Sequence, residues 1–545
     1  MKFLSILIFI STISAAQTPE WTSFFNNSAN ANEFIADIAF DNLGNTYLTG
    51  YGMMTSIQGE DILTVKCNSD GAVEWTKTYN GPQNDSDRPN AIFVDEQGNV
   101  YVTGTSRFAA NSYKIVTMKY SPEGSLLWRS AYDSLGQSDS RAEDIYVDNN
   151  GNVLVTGWIS QLNNGYYDMV TIKMNNNGNV LDFAYFGQTT NVDDFGKKII
   201  SDNSGNIFVG GDSFRNVTFG REAIIIKYNS SLDTSWVVRV NGTDNYYNEF
   251  TVDLELDDNG NVYALCRLTN SPGSTDFAVL KINSNGNVLW RTEYDEAGGQ
   301  DIPEAMTMDN NGNIYVTGRV RRSGGGGYND FAIIKYNNNG VQQWKSYYDG
   351  PNNRDDDPID IVLDQNGNVF VCGESNRDGF AFKFIVVKYN PIGVFEWEYV
   401  YEGNVEGKAL SMHPDNNGYV YAAGQALNSS GNLDLFAVKL SKTTGIGDYK
   451  NFPDMFTLYQ NYPNPFNPGT KISWRTLAGI HQTLKVYDVL GNEVATLVDE
   501  YKTAGSYEVE FNVGQHSSAD ISSGVYFYRL QAGSFVETKK MILTK

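Results

Sequence analysis

Short apolar runs broken by Asn, Asp and Gly follow one another along most of the chain, and no stretch shows the 3.6-residue spacing of an amphipathic helix. The runs fall into a recurring set of four. A segment such as "AIFVD" (strand a) is followed by "GNVYVTG" (strand b), then one like "DFAIIKY" (strand c) and one like "VLWRTEY" (strand d). Strands b and c are apolar at nearly every position, as in "FAVLKI" and "FIVVKY". That pattern predicts strands covered on both faces, whereas a half-solvated strand would alternate. Between a and b lies an Asp-x-x-Gly-Asn phrase such as "DNNGNIYVTG" (309–318), where Gly takes positive φ and the Asx side chain bonds the turn backbone. A calcium loop would need alternate oxygen ligands and a distal acid that the phrase does not offer, so it reads as a hairpin turn.

The turn glycine recurs at Gly44, Gly98, Gly151, Gly205, Gly260, Gly312, Gly367 and Gly418. The spacing averages about 53 residues, long enough for four short strands, which is the period of a β-propeller blade. Six Trp residues (Trp75, Trp128, Trp236, Trp290, Trp344, Trp397) stand nine positions after the Lys that ends strand c, usually with an aromatic four residues on. The third unit has Asp182 in that slot, followed by Phe186. The eighth unit stops after strand c, while "EWTSFF" near the N-terminus offers Trp21 and Phe25 at the same spacing. The expected fold is therefore an all-β, eight-bladed propeller whose last blade is completed by the N-terminal strand, which removes the open edges of the array. A Trp repeated in one slot reads as packing between blades.

These units resemble the bacterial propeller repeats called SBBP repeats through "GNVYVTG", "TMKYSPEG" and the Trp-x-x-x-Tyr ending, over residues 17 to 445. That family is named for seven blades, and this chain counts eight. "NSNGNVLW" is also similar to the Trp-docking repeats of quinoprotein dehydrogenases, without their adjacent Cys pair or cofactor pattern, so this likeness supports the fold alone.

After a linker at 446–455 the rhythm changes to alternating strands with Gly-Asn and Ala-Gly turns, predicting a small Ig-like β-sandwich over 456–545. "NYPNPFNP" (Asn461, Tyr462, Pro463, Asn464, Pro465, Phe466, Asn467, Pro468), "VYDVLGNEV", "SGVYFYRL" and the terminal "KKMILTK" resemble the type A C-terminal sorting domain of the type IX secretion system. The resemblance implies engagement of that machinery, passage across the outer membrane, and release or attachment to surface lipopolysaccharide, commonly with removal of the domain. Residues 1–16, with Lys2, an apolar run and Ser14-Ala15-Ala16, read as a secretory signal. No later stretch is apolar for the length of a membrane span.

The formal charge of −24 makes nucleic acid and anionic membrane surfaces poor partners. Cys67, Cys266 and Cys372 are too few and too scattered for a disulfide framework and read as buried hydrophobes. Among three His, only His413 falls in the propeller, which excludes a His-rich zinc site there and leaves a triad around it without a Gly-x-Ser-x-Gly elbow.

Loops from b to c and from d to the next a share one face of the disc. The b-to-c loops vary, as in "YGMMTSIQGE", "WISQLNNGYY", "RVRRSGGGGYN" and "ESNRDGFAFK", and scaffolds place recognition on such loops. The d-to-a loops carry Asp85, Asp87, Asp139, Asp193, Asp194, Asp244, Asp301, Asp355, Asp356 and Asp357. Brought round a ring, these would form a negative mouth able to hold Ca²⁺, the one cofactor considered, or to accept hydrogen bonds from sugar hydroxyls. The same acids also read as loop-solvating residues, and Arg319, Arg321 and Arg322 read as an anion site or as partners for those acids. The expected function is a secreted or surface propeller binding a glycan or protein and not an enzyme; the alternatives are a polysaccharide-active enzyme using two of the carboxylates, and a surface-layer component.

Overall fold

A computed structural model describes residues 17–544 apart from 26–30, 54–58, 110–111, 133–138, 161–165, 188–191, 217–218, 244–248, 272–273, 297–298, 323–326, 378, 402–405, 442–455, 477–479, 490, 503–504, 514–521 and 533–534. The signal-like segment 1–16, the linker 446–455, Asp244 and His516 lie outside the described residues. Two compact units result, one of Met1–Lys388 with Glu396–Thr443 and one of Thr444–Lys545 with the short stretch Tyr389–Phe395.

Among the described residues of the first unit every regular element is a strand, and eight four-stranded antiparallel sheets follow the predicted order. Blade 6 is representative: Ile302–Met308 (a), Ile314–Val320 (b), Asp330–Tyr336 (c) and Gln342–Tyr348 (d) pair consecutively. Blade 8 takes its a, b and c strands from Gly407–Pro414, Val420–Leu427 and Leu433–Leu440, and its d strand from Pro19–Phe25. The N-terminal strand thus closes the ring, with Thr22 opposite Val438 and Phe25 opposite Leu435. Blade 1 packs on blade 8 as blade 2 packs on blade 1.

The apolar b and c strands are buried between neighbouring blades, as expected from their unbroken hydrophobicity; Cys67, Cys266 and Cys372 lie there as free, buried thiols. The Asp-x-x-Gly-Asn phrase is the a-to-b turn. In blade 6 Asp309 Oδ1 accepts the backbone N–H groups of Asn311 and Asn313, both at 2.9 Å, while Oδ2 accepts Asn313 Nδ2 and the Tyr315 hydroxyl. Gly312 has φ +74°. Both carboxylate oxygens are therefore engaged inside the turn.

On that same face the tryptophans tie blade to blade. Trp75 Nε1 donates to Pro122 O at 2.9 Å, Trp128 to Asn176 O at 2.8 Å and Trp290 to Asn338 O at 2.9 Å, each in the next blade's c-to-d turn. The indole lies on the glycine of that turn: a Cβ at Gly178 would sit 2.6 Å from Trp128, and one at Gly340 2.8 Å from Trp290. The inter-blade packing role read from the repeat is the one observed.

The second unit is a two-sheet arrangement. Phe456–Leu458, Gly469–Thr476 and Gly505–Asn512 form one sheet; Glu493–Lys502, Ile480–Tyr487, Gly524–Ala532 and Phe535–Leu543 form the other. Leu458, Ile472, Trp474, Leu484, Tyr528 and Met541 fill the space between. The "NYPNPFNP" segment is a strap bound to this core. Asn461 is buried, its backbone N–H donating to the Tyr528 hydroxyl and its Nδ2 to Thr470 Oγ1, and Phe466 inserts its ring among the core residues. Asn464 Oδ1 accepts Ile542 N–H at 2.9 Å, and Phe466 bridges to Leu543, so the strap fastens the terminal "KKMILTK" strand. Tyr462, 81% exposed, faces solvent, and the three X-Pro bonds at Pro463, Pro465 and Pro468 are cis.

Candidate functional site

Successive residues entering strand a go to three different places, because side chains in extended backbone alternate faces. The aspartates 355 to 357 show this. Asp355 Oδ1 accepts Asn329 N–H at 2.9 Å and clips the loop before strand c; Asp193 does the same for Tyr167 N–H at 3.0 Å. Asp356 is fully buried at the junction between blades, and Asp357 lies on the inner rim of the loop face, opposite Glu374.

The buried position forms a series. At six of the eight junctions an acid before strand a faces an acid at the start of the preceding blade's strand c. The pairs are Asp87 with Asp61, Asp194 with Asp168, Glu249 with Glu222, Asp301 with Asp276, Asp356 with Asp330, and Glu33 with Asp434. Lys114 with Ser140 and Lys383 with Gly407 replace them at the other two. One oxygen of the acid before strand a accepts a loop N–H: Gly81 to Asp87 at 2.5 Å, Gly242 to Glu249 at 2.6 Å, Gly350 to Asp356 at 2.7 Å. Burial, reinforced by the facing carboxylate, raises the pKa of Asp194, Glu249 and Asp301 to about 7, and burial with Asp349 and Asp330 nearby does the same to Asp356. Asp87, Asp194, Asp301 and Asp356 therefore line the seams between blades and not one open mouth. Asp85 pairs with Arg107, and the Asp139 carbonyl accepts Ser160 N–H at 2.7 Å.

A second ring, unseen in the sequence, faces the central axis. Asp37, Asp144, Asp253 and Asp360 occupy equivalent positions after the strand-a bulge in blades 1, 3, 5 and 7. Each accepts the N–H of its own next residue, and each also bonds to the next blade: Ile92 N–H at 2.8 Å, Ile199 at 2.8 Å, Met306 at 3.0 Å and Ser411 Oγ at 2.8 Å. Lys198 stands at the same position in blade 4, and the four carboxylates raise its pKa. A two-repeat alternation inside the eight-fold pattern was the available signal.

The rim breaks the symmetry. Its directly opposed a/b pairs are Phe34/Tyr51, Arg88/Thr105, Arg141/Trp158 and Phe195/Asp212 in blades 1 to 4, against Phe250/Arg267, Ile302/Arg319, Asp357/Glu374 and Lys408/Gln425 in blades 5 to 8. Across blades 1 to 3 this rim encloses an open cavity of about 550 Å³ that Tyr51, Arg88, Asn90, Thr105, Tyr113 and Arg141 help to line. The Arg88 guanidinium lies 4.8 Å from the Tyr51 ring centroid and pairs with Glu60 at 2.5 Å. With its amide turned to face Arg141, Asn90 Oδ1 accepts from that guanidinium at 2.8 and 3.1 Å. Both guanidinium side chains remain about half exposed, at 53% and 48%. Trp158 stacks edge-on with Tyr167 at 4.5 Å and with Phe195 at 5.9 Å. Sequence reading overlooked Arg88, Asn90, Thr105, Tyr113 and Arg141 because it sought variation in the b-to-c loops and not at strand ends; Tyr51, Trp158 and Tyr167 fall within the loops it quoted. Parts of the four variable loops lie outside the described residues.

Arg319 and Arg322 are salt-bridged, Arg319 to Glu304 at 3.2 Å and Asp357 at 3.5 Å, Arg322 to Asp330 and Asp349; Arg321 donates to Asn329 Oδ1 at 3.2 Å. His413 stacks on Phe40 with centroids 5.7 Å apart, and burial lowers its pKa.

Residues 460–544 match the secretion system C-terminal sorting domain, and residues 74–108 and 343–381 match the SBBP beta-propeller repeat. The chain carries SBBP propeller repeats and a type IX sorting domain, which directs export to the cell surface or extracellular space and engages the type IX machinery. No curated protein matches the chain. Among solved structures it is similar to Sqt1 of Chaetomium thermophilum (8% identity, 76% of this chain and 97% of that one, TM-score 0.47). It is also similar to a protein of unknown function from Bacteroides caccae (16%, 52% and 89%, 0.32). A third is the PL25 ulvan lyase bound to -[GlcA(1-4)Rha3S]- (12%, 74% and 94%, 0.37).

Proposed function

We propose that this exported propeller is a binding protein that holds a saccharide bearing a carboxylate or sulfate in the rim cavity of blades 1 to 3. The observation that supports it is the cavity of about 550 Å³ lined by Tyr51, Tyr113 and two half-exposed guanidinium groups, Arg88 over the Tyr51 ring and paired with Glu60, and Arg141 paired through Nε with Glu143 at 3.2 Å. Guanidinium forks recognise planar oxyanions with two parallel hydrogen bonds, and aromatic rings offer flat apolar surface to the C–H face of a sugar. A chain of net charge −24 repels polyanions in bulk, so recognition rests on these local donors and favours a short acidic unit over a charged polymer at large. Binding is preferred to hydrolysis because the described residues lining this cavity include no Asp or Glu, while glycoside hydrolysis needs two carboxyls at the bound sugar. After export the chain is released or held by surface lipopolysaccharide, where the propeller collects its ligand.

The test is isothermal titration of the mature full chain with acidic and neutral oligosaccharides of matched length. Arg88→Ala and Arg141→Ala each weaken acidic-sugar binding by tenfold or more, as the loss of a charge-assisted contact requires. Equal affinity for neutral sugars, or no loss in either variant, overturns the proposal.

A further inference from the structure

Two of the junction acid pairs gain a third carboxylate. Between blades 6 and 7, oxygens of Asp330, Asp349 and Asp356 lie within 4.8 Å of one another, and between blades 5 and 6 so do those of Asp276, Asp295 and Asp301. Three carboxylates this close, two of them buried, require a cation or protons among them.

The junction of blades 6 and 7 has its cation built in. Arg322, two residues beyond the Val320 that pairs with Asp330, ion-pairs with Asp330 through Nε and with Asp349 at 2.9 Å. The equivalent residue one blade earlier, two beyond the Leu268 that pairs with Asp276, is Asn270. Its Nδ2 donates to Asp276 Oδ2 at 2.6 Å and to Glu293 Oε2 at 2.9 Å, which satisfies lone pairs but brings no positive charge. The nearby bases are engaged elsewhere, Arg291 with Glu293 at 2.6 Å and Lys345 with Glu296 at 3.0 Å. Asp301 is 0% exposed; its Oδ2 accepts the Glu296 N–H, and its Oδ1 has no hydrogen-bond partner.

We propose that Asp276, Asp295 and Asp301 form a divalent-cation site, taken by Ca²⁺, in the place that Arg322 fills one blade on. The ligand set is all oxygen, with the Ser274 hydroxyl 3.2 Å from Asp276 Oδ1 as a further neighbour, and neither His nor Cys belongs to it. Hard oxygen donors of this kind suit Ca²⁺ and give soft metals no advantage. An exported protein meets Ca²⁺ at concentrations matching the roughly 10⁻⁴ to 10⁻³ M affinities of extracellular calcium modules.

The experiment titrates EDTA-stripped, mature full chain with CaCl₂ at pH 7.5 by calorimetry and compares melting in EDTA and in 5 mM CaCl₂. The wild type takes up one Ca²⁺ per chain with Kd at or below about 1 mM and melts several degrees higher with the ion, as preferential binding to the folded state dictates. Asp301→Asn weakens binding at least tenfold. Asn270→Arg, which imports the guanidinium of blade 6, folds and melts independently of Ca²⁺ and no longer binds it, so the test survives if Asp301→Asn fails to fold. Arg322→Asn raises the stoichiometry to two. Absence of binding heat in 10 mM CaCl₂, a Ca²⁺ response unchanged in Asn270→Arg, or a stoichiometry of one in Arg322→Asn overturns the site.

Discussion

Lys198 is the one basic side chain at the axial position that four aspartates share. Asp37, Asp144, Asp253 and Asp360 each have backbone donors, which hold the carboxylates in place, but their combined charge is met from within the ring by a single ammonium. Replacing Lys198 with Met is expected to cost about 1–2 kcal/mol in urea denaturation, below the 3–5 kcal/mol of a dry ion pair because Lys198 faces solvent. The Asp309 turn gives a second residue-level expectation. Asp309→Ala frees two backbone N–H groups and an amide that water can reach, so a loss of about 1–3 kcal/mol is expected, with the blade intact. The turn was legible in the sequence because its bonds are local. The seams were not: Asp355, Asp356 and Asp357 are consecutive and chemically identical, and only the facing of the strand sends one to a loop clip, one to the seam and one to the rim.

At the scale of elements, the blade count and the closure by Pro19–Phe25 were legible because a Trp slot recurs with fixed spacing and one unit lacks it. A subtler coupling needed the structure. Trp21, Trp75, Trp128, Trp236 and Trp290 each lie on a glycine of the next blade's c-to-d turn, and where blade 3 has Asp182 in place of Trp, blade 4 has Leu232 in place of glycine, at φ +57°. Removing the ring released the turn from needing a bare backbone beneath it. Asp182→Trp alone should clash with Leu232 and destabilise, whereas Asp182→Trp with Leu232→Gly should restore the contact, with a favourable coupling of about 1–3 kcal/mol in a double-mutant cycle. Additive effects would show that the two positions vary independently. Trp397 has a buried Nε1 with no acceptor among the described residues; the position two beyond Leu440, where the other blades supply the carbonyl, lies outside them.

Across the whole molecule the excess of acid is partly internal, and that sets the pH response. The seam carboxyls have ordinary values near 4 when unfolded, and burial raises Asp61 and Asp168 to about 6 and Asp194, Glu249, Asp301 and Asp356 to about 7 in the folded ring. Below pH 4 both states hold these protons and the seams bear no penalty. Between pH 4 and 7 the unfolded chain releases protons that the folded chain keeps, so stability falls as pH rises, by up to about 1.4 kcal/mol per pH unit for each proton retained. Above about pH 7 the loss is complete and the curve levels. The few acids with lowered pKa, such as Asp257 beside its turn amides and Lys281, push the other way at lower pH. In EDTA, the urea midpoint should therefore be highest near pH 4–5 and decline to pH 7.5, the reverse of ordinary acid denaturation. Asp356→Asn, which removes one seam charge without touching the proposed Ca²⁺ site, should make that decline shallower. A midpoint that climbs steadily from pH 4.5 to 7.5 in EDTA would mean that the seams ionise without strain and that the facing carboxylates are solvated in solution.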